Sequence, residues 1–323
     1  MVLSDPPIHD HGLSQTDAAL LELAYWLKQA RYRFTSVTPV THQRNNARAT
    51  AQQASTLRDV FGWNRPFSLD LLDDDRLQLM AAAEVLAEQG KTFRSQVRWS
   101  TLDDLLLVHS GYPTDRTDAV FFGPDSYRFA RVIQAHVQAH HQHITRAVDI
   151  GCGSGIGGLL IAKSVPHAEV LGVDINPLAL RYTQVNAATA GVKNLTAQRS
   201  DILSDTTGTF DLIVANPPYM VDEQQRTYRH GGGNLGSDLS LRILEQACER
   251  LSVGGSLLLY SGIAIVEGRD GFLEAVRQRL QGQAWSWTYE EIDPDVFGEQ
   301  LEEPGYEAVE RIAAVSLTVT RVH

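Results

Sequence analysis

Apolar residues recur along the chain with two different periods, and the change of period divides it. From Thr16 to Arg33, Leu20, Leu23, Ala24 and Leu27 fall on one face at helical spacing, which predicts an amphipathic helix. Further helices are expected over Ala51 to Phe61 and over Asp74 to Gln89, the latter with Leu77, Met80, Ala81 and Val85 on one face and Gly90 as its stop. Thr92 to Trp99 and Leu105 to Ser110 read as short strands joined around Asp103-Asp104. Helices followed by a hairpin predict a small α+β recognition domain, for which a winged-helix-like arrangement is one assembly. Residues 1 to about 14, rich in Pro, His and Asp and without periodicity, are expected to form a frayed leader.

The polar, proline-containing stretch Tyr112-Pro-Thr-Asp-Arg-Thr-Asp118 is the expected boundary between units 1–118 and 119–323. Beyond it strands alternate with helices. Strands are expected over Arg146 to Ile150, Glu169 to Asp174, Leu195 to Ser200, Phe210 to Ala215 and Ser256 to Ser261. Helices are expected over Gly157 to Ser164, Pro177 to Ala190 and Ser237 to Leu251, with β-rich segments Trp285 to Glu291 and Ile312 to Val322 closing the chain. That alternation predicts an α/β fold with a mostly parallel sheet covered on both faces.

Composition narrows the class. Hydrophobic residues are 43% and charged residues 21% of 323, the balance of a folded globular protein. No apolar run reaches the roughly 18 residues of a membrane helix, and Met1-Val-Leu-Ser-Asp-Pro lacks an export signal, so a cytoplasmic protein is expected. Cys152 and Cys248 cannot build a disulfide framework or a four-ligand zinc site by themselves. His136 and His140 share a helix face, but without a nearby glutamate at metalloprotease spacing they read as a solvated helix end, and no metal is expected. The net charge of −11 argues against non-specific nucleic-acid binding, with one exception: Lys28 to Arg65 carries seven basic residues and one acid.

The candidate chemistry lies at strand ends. A strand ending in Asp149 runs into Gly151, Gly153 and Gly155 and then an apolar helix, a pattern that brings backbone N–H groups close to a nucleotide-like cofactor. Glycine spacing alone fits either NAD or S-adenosylmethionine. Asp149 favours the second, because a carboxylate there suits a cationic amino group and not a pyrophosphate. Asp174 ends the next strand, placed to accept both ribose hydroxyls. Asp201 ends the third, placed to accept from an adenine amino group, with Ile175 and Ile202 as apolar neighbours of the ring. The fourth strand runs into Asn216-Pro217-Pro218-Tyr219, where two prolines fix the backbone and Asn216 is expected to border the cofactor as well as the acceptor.

On the motifs Asp149-Ile-Gly-Cys-Gly-Ser-Gly and Asn216-Pro-Pro-Tyr219, the region from about Ala119 onward resembles the class I, Rossmann-like S-adenosylmethionine-dependent methyltransferases. Within them it is most similar to the protein (release factor) glutamine N5-methyltransferase family, which modifies the Gly-Gly-Gln loop of translation release factors. Pro124-Asp125-Ser126 stands where that family has Pro-Glu-Thr, and Gly231-Gly-Gly-Asn-Leu-Gly236 matches its glycine-rich loop before a helix. The resemblance implies S-adenosylmethionine as cofactor and a protein substrate. It also implies that Asn216 Oδ1 and the Pro217 carbonyl each accept one N–H of a planar amide, turning the nitrogen lone pair toward the methyl group, with Tyr219 stacking on the flat acceptor. Residues 1–118 do not reproduce the family's helical N-terminal domain.

Three other readings stay open at this level. An RNA or DNA base methyltransferase (adenine N6 or guanine N2) shares the Asn-Pro-Pro-aromatic core, and the basic segment with Tyr32, Phe34 and Trp63 would give it phosphate contacts and stacking, against the plainer reading of a solvated face. A binding module that keeps the fold without reacting is opposed by the intact Asn216-Pro-Pro-Tyr219. An NAD-dependent oxidoreductase is the remaining enzyme alternative.

Overall fold

The structure is a computed structural model, and it describes residues 13–221, 228–232, 235–282 and 284–322. Most of the expected leader lies outside the described residues. Helix α1 (Gln15–Gln29) begins where the Ser14 hydroxyl accepts the Asp17 N–H and buries Leu20, Leu23, Ala24 and Leu27, as the periodicity predicts. The next segment departs from expectation. Pro39–Asn46 forms α2, set by the Thr38 cap and Pro39 in its first turn, although it has no apolar stripe. The helix expected over Ala51 to Phe61 shrinks to α3 (Leu57–Phe61), because a Thr56/Asp59 capping box starts the helix at Leu57.

The helix expected over Asp74 to Gln89 is also cut. Helix α4 (Asp74–Ala82) ends before Glu84, which takes φ 58°, and the chain turns into β1 (Leu86–Gln89), which pairs antiparallel with β2 (Thr92–Ser95) around Gly90. Gly90 therefore supplies a hairpin turn and not a helix stop. The single strand expected over Thr92 to Trp99 divides at Gln96: β3 (Val97–Leu102) pairs with β4 (Leu105–Ser110). Two short hairpins replace one.

Every residue of β4 is buried, and successive residues face different cores. Leu106 and Val108 join α1 and Trp99, whereas Leu105 and Leu107 pack with Phe129 and Leu159. Asn186 closes this seam. Its carboxamide accepts the Val108 N–H at 2.8 Å and donates to the Val108 carbonyl at 3.1 Å and the Ser154 carbonyl at 2.8 Å, all buried. Asn186→Leu is expected to lower unfolding free energy by about 2–3 kcal/mol, since it orphans buried backbone groups. A denaturant midpoint equal to wild type would show that the clamp contributes nothing.

Beyond the seam, α5 (Pro124–His140) leads into β5 (Arg146–Ile150), α6 (Ile156–Ser164), β6 (Glu169–Asp174), α7 (Pro177–Ala190), β7 (Leu195–Arg199) and β8 (Phe210–Ala215). Then follow α8 (Asp238–Arg250), β9 (Leu251–Val266), β10 (Arg269–Asp270), α9 (Gly271–Leu280), β11 (Trp285–Asp293) and β12 (Arg311–Arg321). The sheet order is β11-β12-β9-β8-β5-β6-β7, with β10 hairpinned on β9. Strands β5 to β9 run parallel, and β12 lies antiparallel between β9 and β11.

The expected mixed α/β fold with a mostly parallel central sheet is therefore present. Alternate residues explain its two layers. Ala147, Leu212, Val214 and Tyr260 face the core shared with α5 and α6, while Val148, Ile213, Leu257 and Leu259 face the core of α8 and α9. The chain leaves β5 toward β6 on one side and places β8 on the other. A crevice thus opens at the carboxyl ends of β5 and β8, where such folds hold ligands. No helix among the described residues is long and apolar enough to cross a membrane.

Candidate active site

A cavity of about 380 Å³ occupies that crevice, and all the sequence-predicted site residues except Gly155 line it. Gly155 acts from just behind the wall. Gly151, Gly153 and Gly155 have φ of 65°, 55° and 80°, conformations that only glycine adopts without strain. A Cβ on Gly155 would meet Thr183 at 2.9 Å, and one on Gly157 would meet the Asp149 carboxylate at 2.8 Å. The glycines thus let the start of α6 settle directly over Asp149.

Asp149 is only 2% exposed. Its Oδ2 accepts the Gly158 N–H at 2.8 Å, in the first turn of α6, where the helix dipole favours an anion. Burial nevertheless dominates and pushes the carboxyl up to about 7, with the negative charge of Asp174 adding to the rise. Asp174 accepts the Gly153 N–H at 3.1 Å and the Asn176 N–H at 2.9 Å, and burial raises it too. It ties the glycine turn to the end of β6. Asp201 is exposed at the rim, 3.2 Å from Arg242. Ile202 is buried, whereas Ile175 is 49% exposed, an apolar side chain left open beside the cavity.

The donor set fits an adenosyl cofactor with a cationic tail. Two carboxylates stand at adjoining strand ends, and the bare aliphatic surface of Ile175 lies next to the acid at the end of β6. Asp174→Ala is expected to weaken S-adenosylmethionine binding by about 10- to 100-fold, because it removes both an acceptor and the support of Gly153. Unchanged affinity by calorimetry would remove Asp174 from the site.

At the adjoining strand end, Asn216, Pro217, Pro218 and Tyr219 follow β8, which pairs parallel with β5, and line the same cavity. Asn216 is half-buried, and its carboxamide makes no hydrogen bond among the described residues. The Tyr219 ring lies against Gly262, where a Cβ would come within 2.2 Å of it. Its hydroxyl donates to Asp125, so the ring is fixed in orientation. The glycine-rich loop backs the same turn. Gly231 N–H donates to the Met220 carbonyl at 2.8 Å, and a Cβ on Gly231 would collide with the carbonyls of Gly236 and Pro218. Gly233 and Asn234 of that loop lie outside the described residues.

Several wall residues escaped the sequence reading. Pro39 comes from before the expected domain boundary and Tyr112 and Thr114 from the boundary stretch itself, so residues of the unit 1–118 complete the cavity. Phe121 and Tyr228 stack at 5.7 Å with an interplanar angle of 10°. Phe297 stands edge-on to Tyr219 at 6.2 Å. Tyr112 and Phe121 stand in an aromatic-rich stretch with Phe122 and Tyr127, a signal that Pro39, Tyr228 and Phe297 lack. His136 and His140 stack on each other at 4.3 Å near the end of α5, and no cluster of three metal-ligand side chains occurs among the described residues. Tyr32 and Phe34, invoked for base stacking, are buried in the N-terminal core. Trp63 is half-buried, edge-on to Phe34 and covered by the Arg65 guanidinium at 5.7 Å.

Glycine turn, strand-end carboxylates and switch-point crevice define a doubly wound nucleotide-cofactor domain. Residues 129–263 match the family model of the methyltransferase small domain. The release factor glutamine methyltransferase of Koribacter versatilis is 34% identical over 164 residues, 47% of this chain and 54% of that protein. The ribosomal protein uL3 glutamine methyltransferase of Xanthomonas campestris is 34% identical over 132 residues, 38% of this chain and 43% of its own. The chain spans about half the length of these curated relatives. Among solved structures, a SAM-dependent methyltransferase from Agrobacterium tumefaciens is similar over 80% of this chain and 77% of its own, at 14% identity and a TM-score of 0.48.

Proposed function

We propose that this chain is an S-adenosylmethionine-dependent N-methyltransferase whose acceptor is the side-chain amide of a glutamine in a protein. One observation carries the reading: the unengaged Asn216 carboxamide, followed by two prolines, lines the same cavity as Asp149 and Asp174, at the end of the strand next to that of Asp149. When bound, S-adenosylmethionine supplies an electrophilic methyl group on a sulfonium. Asp174 and Ile175 hold its nucleoside end, and Asp149 offers charge to its amino group.

An amide nitrogen is a poor nucleophile because its lone pair is delocalised into the carbonyl. Asn216 Oδ1 and the Pro217 carbonyl each accept one of its N–H groups, which fixes the amide plane and turns the nitrogen toward the methyl group. No strong base is required, since the nitrogen becomes acidic once methylated. The names of the relatives, which act on a release factor and a ribosomal protein, support a protein acceptor. The burial of Tyr32 and Phe34 takes two of the three aromatic residues of the basic segment out of reach of a base, which weighs against a nucleic-acid acceptor. In this reading residues 1–118 form the recognition domain, and the enzyme works in the cytoplasm beside the translation machinery.

The test is incubation with methyl-labelled cofactor and a cell extract, followed by separate protease and nuclease digestion. Label released by protease and mapped to glutamine is the expected result. Label released only by nuclease would overturn the acceptor.

A further inference from the structure

We infer that Asp125, together with Tyr260, is a positioning residue that sets the Asn216-Pro-Pro-Tyr219 turn for catalysis by holding the Tyr219 hydroxyl. The inference rests on the proposed methyl transfer but not on which molecule is the acceptor. Asp125 lies in the first turn of α5, buried at the cavity wall between two tyrosines from different elements. The Tyr219 hydroxyl donates to its Oδ2, and the Tyr260 hydroxyl of β9 donates to its Oδ1 at 2.8 Å. Arg128, one turn along α5, stands 3.2 Å from Oδ1 and binds Asp293 at the end of β11 at 2.7 Å. Three elements, α5, the turn after β8 and β9, therefore meet at one carboxylate, and Arg128 links it to the end of β11.

A buried carboxylate without donors is unstable, and burial does raise Asp125. Two phenolic O–H groups and one guanidinium offset that cost, and their directions fix the carboxylate in return. Tyr219 is the point where this rigid set meets the reacting centre. Its backbone follows Pro218 directly, its ring is wedged on Gly262, and its carbonyl faces Gly236 so closely that a Cβ there would come within 2.1 Å. Ring, backbone and hydroxyl are each held from a different side. Rotation of the ring would shift the turn that carries the Asn216 carboxamide and the Pro217 carbonyl, and misplacement of about 1 Å costs roughly 100-fold in rate. Asp125 itself need not touch the acceptor.

The decisive experiment is a double-mutant cycle on methyl transfer with Asp125→Asn, Tyr219→Phe and both together, with Tyr260→Phe as a milder single variant. The acceptor is whichever polymer the labelled extract identifies, so an error about glutamine leaves the cycle intact. Asp125→Asn is expected to lower kcat by about 10- to 100-fold while acceptor KM and cofactor Kd stay within about threefold. Adding Tyr219→Phe is expected to cost little more, because the hydroxyl and the carboxylate act as one unit. Tyr260→Phe should lower kcat by about three- to tenfold.

Additive losses in the cycle would overturn the inference, since they would mean that Asp125 acts through some other contact. So would a change confined to KM or to cofactor affinity. Tyrosines labelled with ¹³C at Cζ give a reading independent of turnover, assigned by the two Tyr→Phe variants. Both signals should move in Asp125→Asn, and an unmoved Tyr219 signal would equally overturn it.

Discussion

Asn216→Ala is expected to bind S-adenosylmethionine as tightly as the wild type and to lose about 10²- to 10³-fold in turnover, the range seen when one positioning or oxyanion-type hydrogen-bonding group is removed from a preorganised site. Asn216 supports nothing else: its carboxamide has no partner among the described residues, and the turn is held by its prolines, by the Tyr219 hydroxyl on Asp125 and by the Gly231 and Gly236 backbone. The carboxylates that would hold the cofactor lie on β5 and β6, whereas Asn216 follows β8. Removing the amide therefore separates chemistry from cofactor binding. Isothermal calorimetry should give an unchanged Kd, and single-turnover label transfer should give the slow step. Turnover within threefold of wild type would exclude Asn216 as the group that orients the acceptor, and lost cofactor affinity would mean that it belongs to the other half of the site.

The C-terminal α/β region was largely legible because β5, β6 and β8 are mostly buried and carry Asp149, Asp174 and Asn216 at or just past their carboxyl ends. Asp149, Asp174 and Asn216 could be placed by counting strands, since parallel strands deliver their carboxyl ends to one edge. The N-terminal part obeys no such rule. Pro39–Asn46 is helical through its cap and first-turn proline, without an apolar stripe. Leu86–Gln89 continued the helical spacing of α4 and was captured as a strand only because Thr92–Ser95 offers it a partner across Gly90. Tertiary pairing won over local period there.

Contacts made at long range were equally hidden, even at a residue such as Asp125 that stands in a recognised motif. Asp125 and Tyr260 are 135 positions apart and meet only when α5 packs on β9. Tyr112 and Thr114 sat in a stretch whose composition said linker, yet they form cavity wall. For Tyr219 the structure adds contacts that the sequence did not show: its hydroxyl is engaged by a buried acid and its ring lies against Gly262.

Asp149 is the other residue at which substitution should have a large effect, and stability and binding should move in opposite directions. Its folded-state pKa of about 7 stands well above the ordinary carboxyl value of roughly 4. The folded protein thus binds this proton more tightly than the unfolded chain. The resulting stabilisation is complete below about pH 4 and disappears as the pH rises through about 7, a change on the order of 4 kcal/mol as an upper bound. Asp149→Asn keeps an acceptor for the Gly158 N–H and cannot ionise, so its stability should be flat where the wild type declines. Above pH 7 the melting-temperature difference should move in the variant's favour. The diagnostic is this pH slope, because an unpaired amide N–H in the buried site subtracts about 1–3 kcal/mol at every pH. Binding should respond the other way: a cationic amino group beside Asp149 favours the ionised form, so cofactor uptake near pH 7 should release a proton from the wild type and none from this position in the variant, with affinity reduced about tenfold or more. Parallel stability profiles for the two proteins across pH 5 to 9 would show that Asp149 is ionised throughout. Equal proton release in calorimetry, measured in buffers of different ionisation enthalpy, would show that the cationic end binds elsewhere.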